Sequence, residues 1–315
     1  MTINKPTLVT RPKLFLIDCT APFFATCRPE GSETNWSKIP FVRLEQSGVL
    51  TERKDELLES FERYVRTVSR IGYNVITFDD VAHLVQHSFY SSELNARIAA
   101  YQALYAKLFA LASSYGLKIL VNTDILPTNA AIEAHTGMKP VPLTRFFHRS
   151  IRRLLKMFPQ IEGVVMRLGE ADGIDVQGDF HSKLVIRTTR QCRRLIRTIL
   201  PLFERQKKLL IVRTWTLGAF PVGDLIWNKD TYDAVFRGIE SESLVVSQKY
   251  GEADFFRYLN LNPLFYYGSH QKIIELQARR EYEGFGEFPS YIGPDCERYS
   301  RYSSMCENLI GISVW

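Results

Sequence analysis

The chain has 315 residues, 45% of them apolar and 12% aromatic, enough to bury one large core. A net charge of +6 is mild for this length, and the Lys and Arg excess lies mostly at Arg145 to Lys156 and Arg187 to Lys208. There it alternates with apolar residues, as on the solvated face of an amphipathic helix rather than a nucleic-acid footprint.

Five cysteines (Cys19, Cys27, Cys192, Cys296, Cys306) show no CxxC spacing, which argues against disulfides and a cysteine-held zinc and favours a reducing compartment. No run approaches the ~20 apolar residues of a membrane span. The opening MTINKPTLVTRPK lacks the apolar run and small-residue cleavage site of a secretory signal. The expectation is a cytoplasmic protein with neither nucleic acid nor membrane as partner.

Lys13 to Cys19 (KLFLIDC) reads as a short buried strand with an acid near its end. The segment after it, rich in Pro, Gly and Ser and carrying Trp36, predicts a long loop. Thr51 opens a helix, with Leu57, Leu58, Phe61, Tyr64, Val65 and Val68 at helical spacing as far as Ile71, and Gly72 ends it. Asn74 to Phe78 is a second strand, closing on Asp79 and Asp80. A long helix covers Ser91 to Tyr115, stopped by Gly116. Lys118 to Asn122 makes a third strand ending in Thr123 and Asp124, and a helix from Leu143 to Phe158 stops at Pro159. Gly163 to Leu168 is a fourth strand that runs into Gly169, Glu170, Ala171, Asp172 and Gly173. A helix from Lys183 to Gln206, a fifth strand from Leu209 to Trp215 and a short helix from Asp230 to Ile239 follow. The sixth strand, Leu244 to Lys249, leads to Tyr250, Gly251, Glu252, Ala253 and Asp254. The seventh begins at Lys272 and discharges Glu275, Arg279, Arg280, Glu281, Glu283 and Glu287 among Tyr282, Phe285, Phe288 and Tyr291. A helix from Cys296 to Glu307 and an eighth strand, Leu309 to Trp315, complete the pattern.

Short continuous apolar strands alternating with helices mark a parallel sheet covered by helices. Eight of them in this length predict the α/β class and a single closed (β/α)8 TIM barrel over residues 1–315. No G-x-G-x-x-G follows the first strand, which weighs against an open doubly wound sheet. The pattern stops on an apolar strand with no helix behind it. The expectation is therefore a sequence truncated at the eighth strand, its last helix missing; the alternative is that the early loop covers the gap.

Glu170, Asp254 and Glu281 each lie just past a strand end, on the face where barrel active sites form. Glycosidic cleavage needs one carboxylic acid to protonate the leaving oxygen and a second group across the sugar to activate water or attack carbon. Placement after the fourth strand on one side, and after the sixth and seventh on the other, supplies that opposition. Asp79, Asp80, Asp124 and Asp172 are further candidates, equally open to a scaffold reading. Arg167, Arg213, Lys249, Arg279 and Arg280 line the same rim. Some neutralise the acids, yet so many fixed donors point to an anionic substrate. Trp215, Tyr250, Phe255, Tyr266, Tyr267 and Tyr282 offer flat faces for a sugar ring or simply pack the walls. His83 and His87, four apart, read as a surface pair, without the H-E-x-x-H pattern of a zinc site. Neither G-x-S-x-G nor a P-loop is present.

The stretch from Ser247 to Gly284 resembles glycoside hydrolase family 67, the α-glucuronidases. QKYGEADF is similar to that family's K-N-G-x-x-D-F, and IELQARREYEG to its E-x-Q-I-T-Q-E-Y-x-G. LNPLFYYG (Leu261 to Gly268) is similar to a P-L-F-G stretch between them, and LGEADG at Leu168 to Gly173 stands where the family carries S-E-G. The likeness covers the second half of the chain and implies a (β/α)8 catalytic barrel. It also implies Glu170 as general acid, Asp254 and Glu281 as the carboxylates that activate water with inversion, and Lys249 and Arg213 as holders of a uronic-acid carboxylate. Met166 stands where the family has a lysine, with Arg167 beside it, and Ala278, Arg279 and Arg280 replace I-T-Q. The barrel begins almost at once, without the family's N-terminal β-domain.

These readings predict an inverting glycoside hydrolase acting on a uronic-acid-containing or otherwise acidic oligosaccharide or polysaccharide-derived substrate. It would need no cofactor and no metal. Arg167, Arg213, Trp215, Lys249, Arg279 and Tyr282 would hold the substrate, and a homodimer is a candidate assembly. Inversion implies a gap of about 6.5–9.5 Å between the acid and base carboxyls. Glu170 needs a raised pKa, which burial beside Trp215 would supply. Two rivals stand beside this reading. One is a non-catalytic carbohydrate-binding barrel that keeps its acids for structure. The other is a metal-dependent isomerase or lyase on acidic sugars, with a divalent ion on Asp254, Glu281 and Asp124.

Overall fold

The computed structural model describes residues 13–26, 39–124, 127–169, 178–216, 220–253, 259–277 and 293–314. Eight parallel strands close into a barrel: β1 (Leu14–Asp18), β2 (Val75–Phe78), β3 (Lys118–Asp124), β4 (Ile161–Gly169), β5 (Leu209–Thr216), β6 (Leu244–Lys249), β7 (Gln271–Leu276) and β8 (Leu309–Val314). Each pairs with its predecessor in the chain, and β8 closes on β1 through Leu14 against Gly311 and Leu16 against Ser313. This is the (β/α)8 barrel that the alternation of elements predicts.

On β2 to β7 the two faces of the strands are buried by different partners, whereas the outer faces of β1 and β8 are partly exposed, Phe15 at 36%. Leu16, Val75, Leu120, Val165, Ile211, Val245 and Ile273, one from each of β1 to β7, pack on one another inside the barrel. Residues of the opposite parity, among them Ile76, Phe78, Val121, Val164, Met166, Val212 and Val246, join the larger core beneath the helices. The closing seam depends on Gly311. A Cβ there would lie 2.9 Å from both the Cβ and the carbonyl oxygen of Leu14, so a larger residue would push β8 away from β1.

The helices are α1 (Thr20–Thr26), α2 (Phe41–Gln46), α3 (Lys54–Arg70), α4 (Ser92–Ser114), α5 (Ala130–Thr136), α6 (Pro140–Met157), α7 (Thr189–Gln206), α8 (Lys229–Phe236) and α9 (Gly293–Ser303). In α3, Leu57, Phe61, Val65 and Val68 form the buried stripe, with Asp55 and Glu56 in the first turn and Arg70 in the last, matching the helix dipole. Ser91 caps α4 by accepting from the Leu94 N–H at 3.1 Å.

Several elements depart from the sequence expectation. α7 starts at Thr189 rather than Lys183 because Thr188 and Gln191 form a capping box that fixes the first turn there. α6 starts three residues early, at Pro140, whose fixed φ suits the first helical position. The expected long loop after β1 contains α1 and α2, anchored by buried Phe23, Phe41 and Leu44; Trp36 lies outside the described residues. α5 was not expected either. It is bounded by the Asn129 cap and by Gly137 in the left-handed region, at φ 58°. Pro127–Thr128 and His181–Ser182 pair antiparallel beyond the barrel rim. Among the described residues no helix is long and apolar enough to cross a membrane.

Candidate functional site

Strand side chains alternate, so residues two apart share a face. Two positions beyond each apolar interior residue, the inward-facing side chain is polar on all of β1 to β7: Asp18, Thr77, Asn122, Arg167, Arg213, Ser247 and Glu275. Ser313 of β8, in register with Glu275, completes the ring. All but Asp18 are buried. The apolar interior thus ends at one level, toward the C-terminal ends of the strands, and a polar floor takes over. One step higher the inward positions include Asp79, Asp124, Trp215 and Lys249.

The floor divides into two halves. Around β1 to β4, Arg167 reaches Asp79 with Nη2 at 3.2 Å and Asp124 with Nε at 2.6 Å. Asp79 also accepts from the Ile39 N–H at 3.0 Å, and its carbonyl accepts from the Tyr105 hydroxyl at 2.5 Å. Asp18 accepts from the N–H and the hydroxyl of Thr20 at 2.7 and 2.8 Å. Burial pushes Asp18 up to about 6; its Thr20 bonds and Arg167 pull it down, and the Asp79 charge pushes it up.

Around β5 to β7 the pattern is inverted. Arg213 holds Glu275 through two parallel hydrogen bonds of 2.9 and 2.8 Å, and the Ser247 hydroxyl donates to the same carboxylate at 2.8 Å. Burial alone would raise Glu275, but the charge and hydrogen bonds of Arg213, the Ser247 bond and the charge of Lys249 hold it below the usual carboxylate range. The Lys249 ammonium lies 3.8 Å from the ring centre of Trp215, which is partly exposed. Arg167 and Arg213 stand in register across β4 and β5, and their guanidiniums turn to carboxylates on opposite flanks.

Four of the expected substrate-holding residues therefore converge on the mouth: Arg167, Arg213, Trp215 and Lys249. Glu170, Asp172, Asp254, Phe255, Arg279, Arg280, Glu281 and Tyr282 lie outside the described residues. β4 ends at Gly169, one residue before Glu170. Met166, at the family's lysine position, faces the helix layer, whereas Arg167 faces the barrel.

Other expectations are corrected. Tyr250 is a wall residue, buried and stacked on Tyr299 with centroids 4.3 Å apart. Tyr266 and Tyr267 lie at the opposite end of the barrel, ahead of β7. Their hydroxyls donate to the Tyr302 carbonyl at 2.7 Å and to Asp233 at 2.8 Å. His83 and His87 are not a surface pair. His83 sits in a 3-10 turn, Ala82–Leu84, with its Nδ1 2.8 Å from Asp80 and its ring stacked on Phe41. Its charge and hydrogen bonds overcome burial and hold Asp80 low. His87 is buried, 3.1 Å from the Ser150 hydroxyl and 3.1 Å from Arg153, and burial together with Arg153, Arg149 and His135 pushes it down to about 4. Helical spacing misled because the backbone turns extended at Val85.

Among the described residues no group of three or more His, Cys, Asp or Glu side chains is disposed to hold a metal ion. Asp79 and Asp124 face each other across the Arg167 guanidinium. Sequence reasoning missed the ring itself. Its signal was the constant two-residue step from apolar to polar, readable only once the inward parity of each strand is known.

No family model matches the chain, and no curated protein matches it. Among solved structures it is similar to a GH138 enzyme targeting pectin rhamnogalacturonan II, with a TM-score of 0.56 and 15% identity over 81% of this chain and 30% of that one. It is also similar to the endo-β-mannanase/endo-β-glucanase PbGH26A-GH5A of Prevotella bryantii, with a TM-score of 0.51 and 10% identity over 96% and 44% of the two chains. A mutant O-GlcNAc hydrolase of Thermobaculum terrenum is similar at a TM-score of 0.51 and 10% identity, over 82% and 51%. These likenesses concern the barrel fold. The chain spans between 30% and 51% of the length of these three proteins.

Proposed function

We propose that this barrel is the catalytic domain of a glycoside hydrolase that cleaves a uronic-acid-containing or otherwise acidic glycan with inversion, in the manner of an α-glucuronidase. One observation carries the reading: the interior of β1 to β7 changes from apolar to polar at a single level and ends in a mouth of carboxylates, guanidiniums and a tryptophan. A barrel interior serving stability alone would be filled with branched apolar side chains, and polarity at the C-terminal strand ends is where barrel chemistry is built. The carbohydrate-acting names of the similar barrels, and the family 67 motifs around Glu170, Asp254 and Glu281, support the same conclusion.

In this mechanism Glu170, one residue past β4, protonates the leaving oxygen. Asp254 and Glu281, past β6 and β7, orient and deprotonate the attacking water. The Lys249 ammonium lies over the Trp215 ring; the ring is assigned as apolar surface for the sugar and the ammonium as a cation for its carboxylate. Arg167 and Arg213 offset the carboxylates of the floor beneath the sugar, and Arg279 and Tyr282, which follow β7 in the chain, are assigned to hold it. The test is Glu170→Gln, assayed on uronic-acid oligosaccharides with NMR to read the anomer first released. Turnover should fall by about 10²–10⁴, and the wild type should release the inverted anomer. Undiminished turnover in Glu170→Gln would overturn the assignment, and retention of configuration would overturn the inverting route.

A further inference from the structure

α6 and α7 lie side by side on the barrel wall, and together they carry ten cations against one acid, Glu204. That excess is larger than the +6 of the whole chain, so the remainder of the chain is net acidic. Arg145, Arg149, Arg152 and Lys156 form one exposed stripe along α6, and Arg190, Arg194, Arg197 and Arg205 another along α7. Among the described residues none of these eight has a carboxylate within ion-pair distance.

Several arginines elsewhere on the surface are paired. Arg53 pairs with Glu56 at 2.8 Å, Arg66 with Glu62 at 3.0 Å, and Arg301 with Glu297, each within one helical turn. Such pairing is absent from the described α6 and α7 stripes, and like charges are crowded instead. Half-buried His148 is pushed down by burial and by the charges of Arg152 on its own helix and Arg205 on the next.

We infer that this face docks an acidic polysaccharide, the polymer from which the proposed hydrolase draws its substrate; the inference rests on that reading of the mouth. Charge spacing favours this occupant. Arg145, Arg149, Arg152 and Lys156 on α6, and Arg190, Arg194 and Arg197 on α7, follow one another at about one helical turn, ~5.4 Å, which suits a chain with one carboxylate per sugar better than duplex DNA with a charge every ~1.7 Å. Guanidinium forks match planar carboxylates. The rings of the two helices, Phe146, Phe147 and Phe203, are buried and offer no stacking platform for bases. The apolar faces of both helices are consumed by the core, and Val141 and Met157, exposed singly at the two ends of α6, make no continuous apolar face to insert into a bilayer.

The experiment measures binding of this chain to polygalacturonate, with dextran, mixed-sequence duplex DNA and anionic phospholipid vesicles as comparators. Wild type should bind polygalacturonate, and its affinity should fall about tenfold or more between about 50 and about 200 mM salt. Combining Arg145→Glu, Arg152→Glu and Arg194→Glu should lower that affinity at least tenfold with an unchanged thermal melt; the matching triple Gln variant serves if the reversal unfolds the chain. Turnover of a short uronic oligosaccharide should be unaltered in either variant, so loss of docking and loss of chemistry are read separately. Equal binding to dextran, tighter binding to DNA or vesicles, no binding to polygalacturonate, or undiminished affinity in a folded triple variant would overturn the inference.

Discussion

The two halves of the barrel mouth bury charge in opposite proportions. Among the described residues, three carboxylates (Asp18, Asp79 and Asp124) gather about the Arg167 guanidinium on the β1 to β4 side. On the β5 to β7 side one carboxylate, Glu275, sits among Arg213, Lys249 and the Ser247 hydroxyl. The first half takes up a proton as pH falls through about 6, where burial places Asp18; the second holds Glu275 ionised through cations and hydrogen bonds. A buried ion pair is weak evidence for stability, but removing one partner strands the other. The contrast therefore predicts unequal damage.

The largest effect is expected from Arg167→Met, which leaves Asp79 and Asp124 buried without the guanidinium between them. Urea unfolding at pH 7 should show a loss of about 4–5 kcal/mol, with a substantial part regained at pH 5 as the acids take up protons. Arg213→Met should cost somewhat less, about 3 kcal/mol, because Ser247 and Lys249 still hold Glu275. Acid should restore less of it. If both variants lose the same amount and respond identically to pH, the two halves are not distinct.

The smallest effect has the opposite sign. Asp18 in the folded chain keeps its proton to about 6, above its ordinary value of 3.8, whereas the unfolded chain releases it earlier. The folded state is thus favoured below pH ~4 and loses that advantage as pH rises through 6. Asp18→Asn should stabilise the protein by about 1–2 kcal/mol at pH 7.5, and should flatten this decline. A melt that falls equally at pH 4.5 and 7.5 would show that burial of Asp18 is not what raises it.

The architecture was legible because continuous apolar runs such as LLIV at Leu209 and LVV at Leu244, punctuated by glycine and proline, leave few alternatives to a helix-covered parallel sheet. The polar floor was not legible for the same reason. Where both faces of a strand are apolar, as in KILVN, nothing local says which parity turns inward, so Asn122 and Thr77 passed unremarked. Arg167, Arg213, Trp215 and Lys249 were found because charge or a large ring at a strand end is conspicuous whatever its parity. Tyr266 and Tyr267, open in the sequence between a sugar face and wall packing, are wall residues. They precede β7 rather than follow it, and in a barrel that difference is the full height of the sheet. The His83 and His87 spacing suggested a helix face, which the 3-10 turn does not provide.

The plug formed by Leu16, Val75, Leu120, Val165, Ile211, Val245 and Ile273 makes the mouth a blind cup. On the hydrolase reading proposed above, a spent sugar lingering on Trp215 and Lys249 would bar the next arrival. Such a vessel should be slowed by its own product in a strictly competitive way.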